Sequence, residues 1–409
     1  MTAIATRMGG IRWTDPRTIG YLGIGLGLLA FWLALPPVAL RHAELPIAIG
    51  VVAMAIGAWV WWRGERRVGS FAAIAGLLGI ALGFFATQSS IAHLDEVVVW
   101  SALAGATLRY ATPLTFAAIG GLYCERAGVI NVALEGMLLT GAFFGIWGAI
   151  WAHSWAGNSA WLVGVACAAL AGMALATIHA VWAIHLKVDQ IISGTAINFL
   201  ALGITGYLFI DKYGDTGTPG NVPDYGIPDV HIHFLQNWYF IGPIFGQLNL
   251  MIWLSFVLLV GTYIFVFRTP FGLRLRAVGE HPRAADTVGI SVYKTRYIAV
   301  IASGAIAAMG GAYLSLGFVH SFNENMTAGT GFIGLAALVF GKWRPFPTYC
   351  AALLFGFSSA LADRLPSAYG NQWGTLFQAL PYLLTLIAVA GVIGRSIGPA
   401  AAGRPYVKQ

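Results

Sequence analysis

Charge is scarce in this sequence. Only 23 of 409 residues are Lys or Arg and 16 are Asp or Glu, together 10%. Soluble domains run nearer a quarter charged, so an ordinary water-soluble enzyme is excluded. Cysteine is scarce as well. Cys124, Cys167 and Cys350 are far apart, odd in number and set among apolar residues, which excludes a disulfide framework and a cysteine metal site. A nucleotide-binding loop is missing: Gly341-Lys342 is followed by Trp343, and no G-x-x-x-x-G-K-[ST] occurs. The net charge of +7 is spread between apolar runs and forms no basic tract, which argues against a nucleic-acid partner. His231-x-His233 reads as a surface pair, and no metal site is expected.

Apolar side chains fill the space that charge leaves. They make up 58% of the chain, and the mean hydropathy is +0.74. Apolar runs fall at 20–40, 45–62, 69–88, 98–122, 128–150, 160–184, 190–210, 249–267, 297–318, 326–341, 346–362 and 374–394. The expected fold is all-α, a polytopic integral membrane protein with about 10–12 transmembrane helices. Arg7, Arg12 and Arg17 precede the first run, but it is too long for a signal-peptide core and lacks a cleavage site, so a retained helix is expected.

With the N-terminus inside, nineteen of the 23 basic residues fall on one side. Only Arg41, Lys212 and Arg364 fall on the other, and Arg109 lies within a span. This asymmetry orients a multi-pass protein of the bacterial inner membrane with both termini cytoplasmic. The outer loop 211–247 is rich in Pro, Gly and Asp, and the inner connection 268–296 carries six basic residues. Residues 1–97 are expected to form an accessory bundle of about three spans, with Gly23-x-x-x-Gly27 and Gly79-x-x-x-Gly83 suited to close helix contact. Residues 98–395 hold the polar groups and read as the functional core. Residues 396–409 form a cytoplasmic tail.

Ionisable groups in lipid are costly and mark function or a brace. At a helical rise from Arg126, Glu135 lies about 13 Å into the membrane, and Arg109 on the preceding span is its expected ion-pair partner. Asn198 lies about 16 Å beyond Lys187 by the same arithmetic, where its amide bonds either a passing hydroxyl or a neighbouring helix. Gly329-Thr330-Gly331-Phe332-Ile333-Gly334 matches G-x-G-x-x-G, yet it lacks the strand and the acid of a dinucleotide site. It reads as close backbone approach or a helix break. In the inner connection, Ala284, Ala285, Val288 and Gly289 are expected on one flank of a short helix, with Arg283 and Asp286 directed elsewhere.

Four ordered blocks carry a family resemblance: 108–143 around NVALEG, 188–208, 272–317 and 322–346. The chain resembles permease subunits of ATP-binding-cassette importers for ribose-type sugars, nucleosides and branched-chain amino acids, and is most similar to the nucleoside and simple-sugar branch. The resemblance implies a fold similar to the vitamin-importer type. It implies a second homologous permease, giving a heterodimer, a cytoplasmic ATPase and an extracytoplasmic substrate-binding lipoprotein. ATP and Mg would belong to the partner ATPase, so this chain is no enzyme and has no cofactor. The AAxxxG spacing matches the helix that docks on the ATPase, although Arg283 stands where many importers have Glu. The resemblance also suggests a chain break around Gly128–Asn131.

The residues expected to line the pathway of a nucleoside or related sugar-like solute are Asn131, Glu135, Asn198, Phe322 and Asn325. Those expected to couple to the ATPase are Arg276, Gly279, Glu280, Ala284, Ala285 and Gly289. One alternative is the same importer role with a simple sugar or a branched-chain amino acid as solute; another is an ion-coupled secondary transporter, which would need intramembrane carboxylates, and Glu135 alone is convincingly placed.

Overall fold

The structure is a computed structural model that describes residues 15–34, 44–87, 100–214, 226–236, 238, 241–369, 373–387 and 397–408. Arg7, Arg12, Arg41 and Arg395, which helped to orient the chain, lie outside the described residues, as do 215–225 of the outer loop. The helices follow the apolar runs in order: α1 (Pro16–Ala34), α2 (Glu44–Trp62), α3 (Arg66–Thr87), α4 (Trp100–Arg126), α5 (Leu134–Ala156), α6 (Ala160–Ala180) and α7 (Gln190–Tyr213). A two-stranded antiparallel ribbon, β1 (Asp229–His231) with β2 (Gln247–Asn249), precedes α8 (Leu250–Arg268). Then come α9 (Pro270–Glu280), α10 (Pro282–Thr287), α11 (Val292–Ala312), α12 (Thr330–Phe340), α13 (Pro345–Tyr369) and α14 (Leu380–Ile387).

Eight stretches among the described residues are long and apolar enough to cross a bilayer, and one of them, Leu134–His185, contains both α5 and α6. The run 326–341 does not yield a full span. Its helix, α12, has 11 residues, about 16 Å of rise against a hydrocarbon core of about 30 Å. Exposed Phe199, Tyr207, Val257 and Leu170 turn outward where a soluble fold would bury them, as lipid-facing side chains do. Thr112 and Thr115 on α4 donate to the carbonyls of Leu108 and Ala111 at 2.7 Å, so these hydroxyls carry their own partners.

Two compact units emerge from the contacts within the chain: Met1–Leu103 with Leu361–Val392, and Ala104–Ala360 with Ile393–Gln409. In the first, α1, α2 and α3 pack together. A side chain at Gly27 would strike Ala75 and Gly76, and one at Gly79 would strike Ala30, so both small-residue spacings lie at helix contacts. Arg17 Nε meets Glu65 Oε1 at 2.7 Å at one end of the bundle.

The second unit is built on α11, which lies against both α5 and α6. The approach is close enough that Cβ atoms at Gly141 and Gly311 would collide with the backbone of Ala308 and Leu138. Packing of this closeness supplies association where lipid offers no hydrophobic drive. Polar caps fix the helix starts. Asp189 accepts from the Ile191 and Ile192 amides ahead of α7, and Asn249 accepts from Met251 ahead of α8.

Candidate functional site: a broken span and the end that anchors it

The chain leaves helical geometry after Arg126, turns at Gly128 with φ +85°, and resumes only at Leu134. Residues 127–133 therefore lack a helical ladder, and their buried backbone groups need other partners. Side chains supply them. Gln190 Oε1 accepts from the Ile130 amide at 2.7 Å, and Asn198 Nδ2 donates to the Val132 carbonyl at 3.0 Å. His179 Nε2 lies 3.0 Å from the Ile130 carbonyl and Nδ1 lies 2.9 Å from Ser193 Oγ. A carbonyl only accepts, so Nε2 carries the proton and Nδ1 accepts from Ser193.

Asn131 and Asn198 are both committed to this break. Asn131 is fully buried; its Oδ1 accepts from the Ala133 amide at 3.1 Å and its Nδ2 donates to Ser303 Oγ at 2.9 Å. Asn198 Oδ1 accepts from the Gly136 amide at 2.8 Å. Of the alternatives for Asn198, the neighbouring helix holds in this conformation.

Glu135, in the first turn of α5, reaches the start of α12. Its Oε1 accepts from Thr327 Oγ1 at 2.6 Å and from the Gly329 amide at 2.8 Å, while Oε2 accepts from the Gly331 amide at 2.6 Å. Helix starts leave unpaired N–H groups and a partial positive charge, and here one carboxylate meets both needs; the depth of about 13 Å expected from a continuous helical rise does not hold, because residues 127–133 are not helical. The close backbone approach expected at Gly329–Gly334 is thus present: a Cβ at Gly331 would lie 2.5 Å from Glu135 Cα. The expected ion pair between Arg109 and Glu135 is not. Among the described residues the ion pairs are Arg17–Glu65 and Lys212–Asp211. Arg109 stands seventeen residues before Arg126 on α4, about 26 Å along the helix, and lines a different recess, with Asp229, His231 and Tyr313.

Phe322 is fully buried, with its ring edge-on to Phe143 at 5.2 Å and to Phe209 at 5.4 Å. It anchors the turn rather than facing a passage. Asn325 does the opposite. It is exposed at φ +55°, next to exposed Asn323 and Glu324, so three polar side chains open outward just ahead of the half-length helix. A recess of about 310 Å³ adjoins them, walled by Tyr110, Phe318, Met326, Asn323, Thr330 and Ser359 among others.

At the Arg126 end a second cluster forms around α9 and α10. Ala285 is buried with Val278, Val292 and Tyr406, whereas Arg283, Ala284, Thr287, Val288 and Gly289 are exposed. The expected flank is therefore split, because Ala285 turns inward while Arg283 joins Ala284 outside. Gly279 is buried as well; a Cβ there would meet the Arg126 carbonyl. Arg276 lies over the Phe267 ring at 5.2 Å. Glu280 Oε2 accepts from the Ala400 amide at 3.2 Å. Gly289, at φ +83°, ends the helix with nothing near its missing Cβ.

The tail was not expected to matter, yet it binds this end together. The Ala401 amide donates to the Gly279 carbonyl at 2.9 Å, and Tyr293 OH donates to the Tyr406 carbonyl at 3.4 Å. Arg296, only 1% exposed, donates from Nε to the Ala127 carbonyl at 3.2 Å and from Nη1 to the Arg404 carbonyl at 3.2 Å. One guanidinium thus ties α11, the tail and the root of the broken span. Arg126 and Glu125 hold the next turn, through the Trp343 carbonyl at 2.7 Å and the Trp343 indole N–H. His179, Ser303, Thr327 and Arg296 had no place among the expected site residues. A lone His and Arg at the ends of apolar runs were the available signals.

A polytopic helical protein with an interrupted span, a half-length helix meeting it and an exposed polar turn beside them has the build of a solute transport protein. The chain belongs to the family described as branched-chain amino acid transport system / permease component, which matches residues 103–389. It is 40% identical to the guanosine ABC transporter permease protein NupQ of Bacillus subtilis over 77% of this chain and 99% of that protein. It is 36% identical to the nucleoside ABC transporter permease protein NupC of Lactococcus lactis over 74% of this chain and 95% of that one. With the guanosine ABC transporter permease protein NupP of Bacillus subtilis it shares 26% identity over 78% of this chain and 84% of the other. No solved structure matches.

Proposed function

We propose that this chain is the permease subunit of an ATP-driven importer carrying nucleosides inward across a bacterial inner membrane. The observation that supports the solute most directly is the similarity to guanosine and nucleoside permeases over nearly their whole length. Chemistry at the break agrees. Half-helix starts in transporters attract anionic solute groups, but here the α12 start is already neutralised by Glu135. That favours a neutral solute over an amino acid with its carboxylate. The exposed amides Asn323 and Asn325 suit ribose hydroxyls.

The subunit acts with a second, homologous permease. Similarity to both NupQ and NupP, two guanosine permeases of one organism, supports a heterodimer. A cytoplasmic ATPase supplies the energy with its own ATP and Mg, and an extracytoplasmic binding protein delivers the solute. Both termini and α10 face the cytoplasm, in keeping with the charge asymmetry. Exposed Arg283, Ala284, Thr287 and Val288 form the surface offered to the ATPase, while Ala285, Gly279, Glu280 and Arg276 hold α10 to the body. Motion of α10 reaches the broken span through the tail and Arg296, so ATPase rearrangement shifts residues 127–133 and the Glu135 joint.

An ion-coupled carrier is disfavoured by the same geometry, because the Glu135 carboxylate is already engaged by three donors of this chain. The test is labelled-nucleoside uptake in cells that depend on this chain, with pentoses and branched-chain amino acids as competitors. Competition by unlabelled nucleosides alone is expected. Uptake of an amino acid with no nucleoside uptake overturns the substrate.

A further inference from the structure

A recess in the second unit lies away from α10, where α4, the ribbon and the end of α11 meet. Its volume is about 600 Å³, within the range of small-molecule sites. Arg109 projects from α4; Asp229 and His231 come from β1, Gln247 and Asn249 from β2, and His320 follows α11. Phe318 and Tyr313 add aromatic surface to the wall. None of these groups takes part in the broken span or in the cluster at the opposite end.

Three features suit a ligand better than a structural role. Arg109 is exposed in the recess and has no carboxylate partner among the described residues. The Asp229 carboxylate is only loosely engaged, by Asn249 Nδ2 at 3.3 Å and Gln247 Nε2 at 3.4 Å, leaving acceptor capacity. The Tyr313 hydroxyl is buried in the wall with no hydrogen-bond partner. Cationic donor, anionic acceptor and aromatic surface thus share one concavity.

We infer that this recess is a subsite for the nucleobase of the incoming solute. An oxopurine edge offers an acceptor to Arg109 and an N–H donor to Asp229, and its flat face covers Phe318. A carboxylate or phosphate ligand would satisfy Arg109 but repel Asp229, whereas a simple sugar would leave the aromatic wall unused. The inference rests on the nucleoside reading given above and adds to it a binding site within a single protomer. Phe318 also walls the 310 Å³ recess beside Asn323, so the two recesses share one wall.

The experiment is equilibrium binding of labelled guanosine to the purified permease–ATPase complex without its binding protein, alongside uptake by the complete importer in proteoliposomes. The wild type is expected to bind guanosine saturably. Arg109→Gln and Asp229→Asn, each checked for an unchanged melting temperature, are expected to weaken binding about tenfold and to raise the half-saturating concentration for uptake in parallel. Wild-type uptake without binding to the complex overturns the subsite and leaves the nucleoside reading standing. So do variants that bind guanosine normally, and variants whose only defect is docking of the binding protein. If the wild type neither binds nor carries any nucleoside, the reading itself falls, and the subsite with it.

Discussion

Replacing Glu135 by Gln is the sharpest perturbation of the joint between α5 and α12. The amide oxygen can keep the two donors now on Oε1, Thr327 Oγ1 and the Gly329 amide. The NH₂ group then faces the Gly331 amide, donor against donor, where Oε2 now accepts at 2.6 Å. One charge-assisted bond is lost, at about 1.5–3 kcal/mol, and the favourable charge at the α12 start goes with it, at about 0.3–2 kcal/mol. The local cost is about 2–5 kcal/mol, or a rise in opening of between about thirtyfold and a few thousandfold. Hydrogen exchange over 322–334 reads it directly, with α8 as an internal reference. Faster exchange confined to that segment, together with reduced uptake, is expected. Unchanged exchange at Gly329 and Gly331 in Glu135→Gln would refute the joint as the element that holds α12.

Further perturbations address other parts of the account. Ending the chain after Gly398 removes the Arg404 carbonyl from Arg296 and Tyr406 from the cluster around Ala285; ATPase activity that no longer responds to loaded binding protein is expected, measured in the reconstituted complex. Val288→Asp places a charge on a side chain that is 74% exposed, so ATPase co-purification should fall while the melting temperature holds. Gly311→Leu drives a side chain into the Leu138 carbonyl; a loss of about 1–3 kcal/mol or more should appear as a lower melting temperature and reduced membrane yield. Asn325→Ala alters an exposed turn side chain, and a raised half-saturating solute concentration with normal folding is expected from uptake kinetics.

The spans were legible because lipid forces long apolar runs, and each run from Pro16 to Gln378 has its helix. The break at Gly128–Asn131 could be expected too, although a run of apolar letters hid the six residues before Leu134. Glu135 announced itself as a charge in lipid. Its partner did not, because a carboxylate satisfied by backbone amides leaves no complementary charge in the sequence, and Arg109 drew attention only by being ionised. Phe322 and Ala285 show the same limit. Residue type made them apt for a gate and a docking face, but the direction of a side chain in a short or irregular segment is set by packing that no local pattern records. The tail, without periodicity, carried no signal of its contacts with Gly279, Tyr293 and Arg296.

The most direct test of the central claim is accumulation of labelled guanosine in proteoliposomes holding the complete importer, with ATP supplied on the ATPase side and loaded binding protein on the other. Accumulation that requires ATP and survives a protonophore is the predicted result. Accumulation without ATP that collapses with the ion gradient would contradict it.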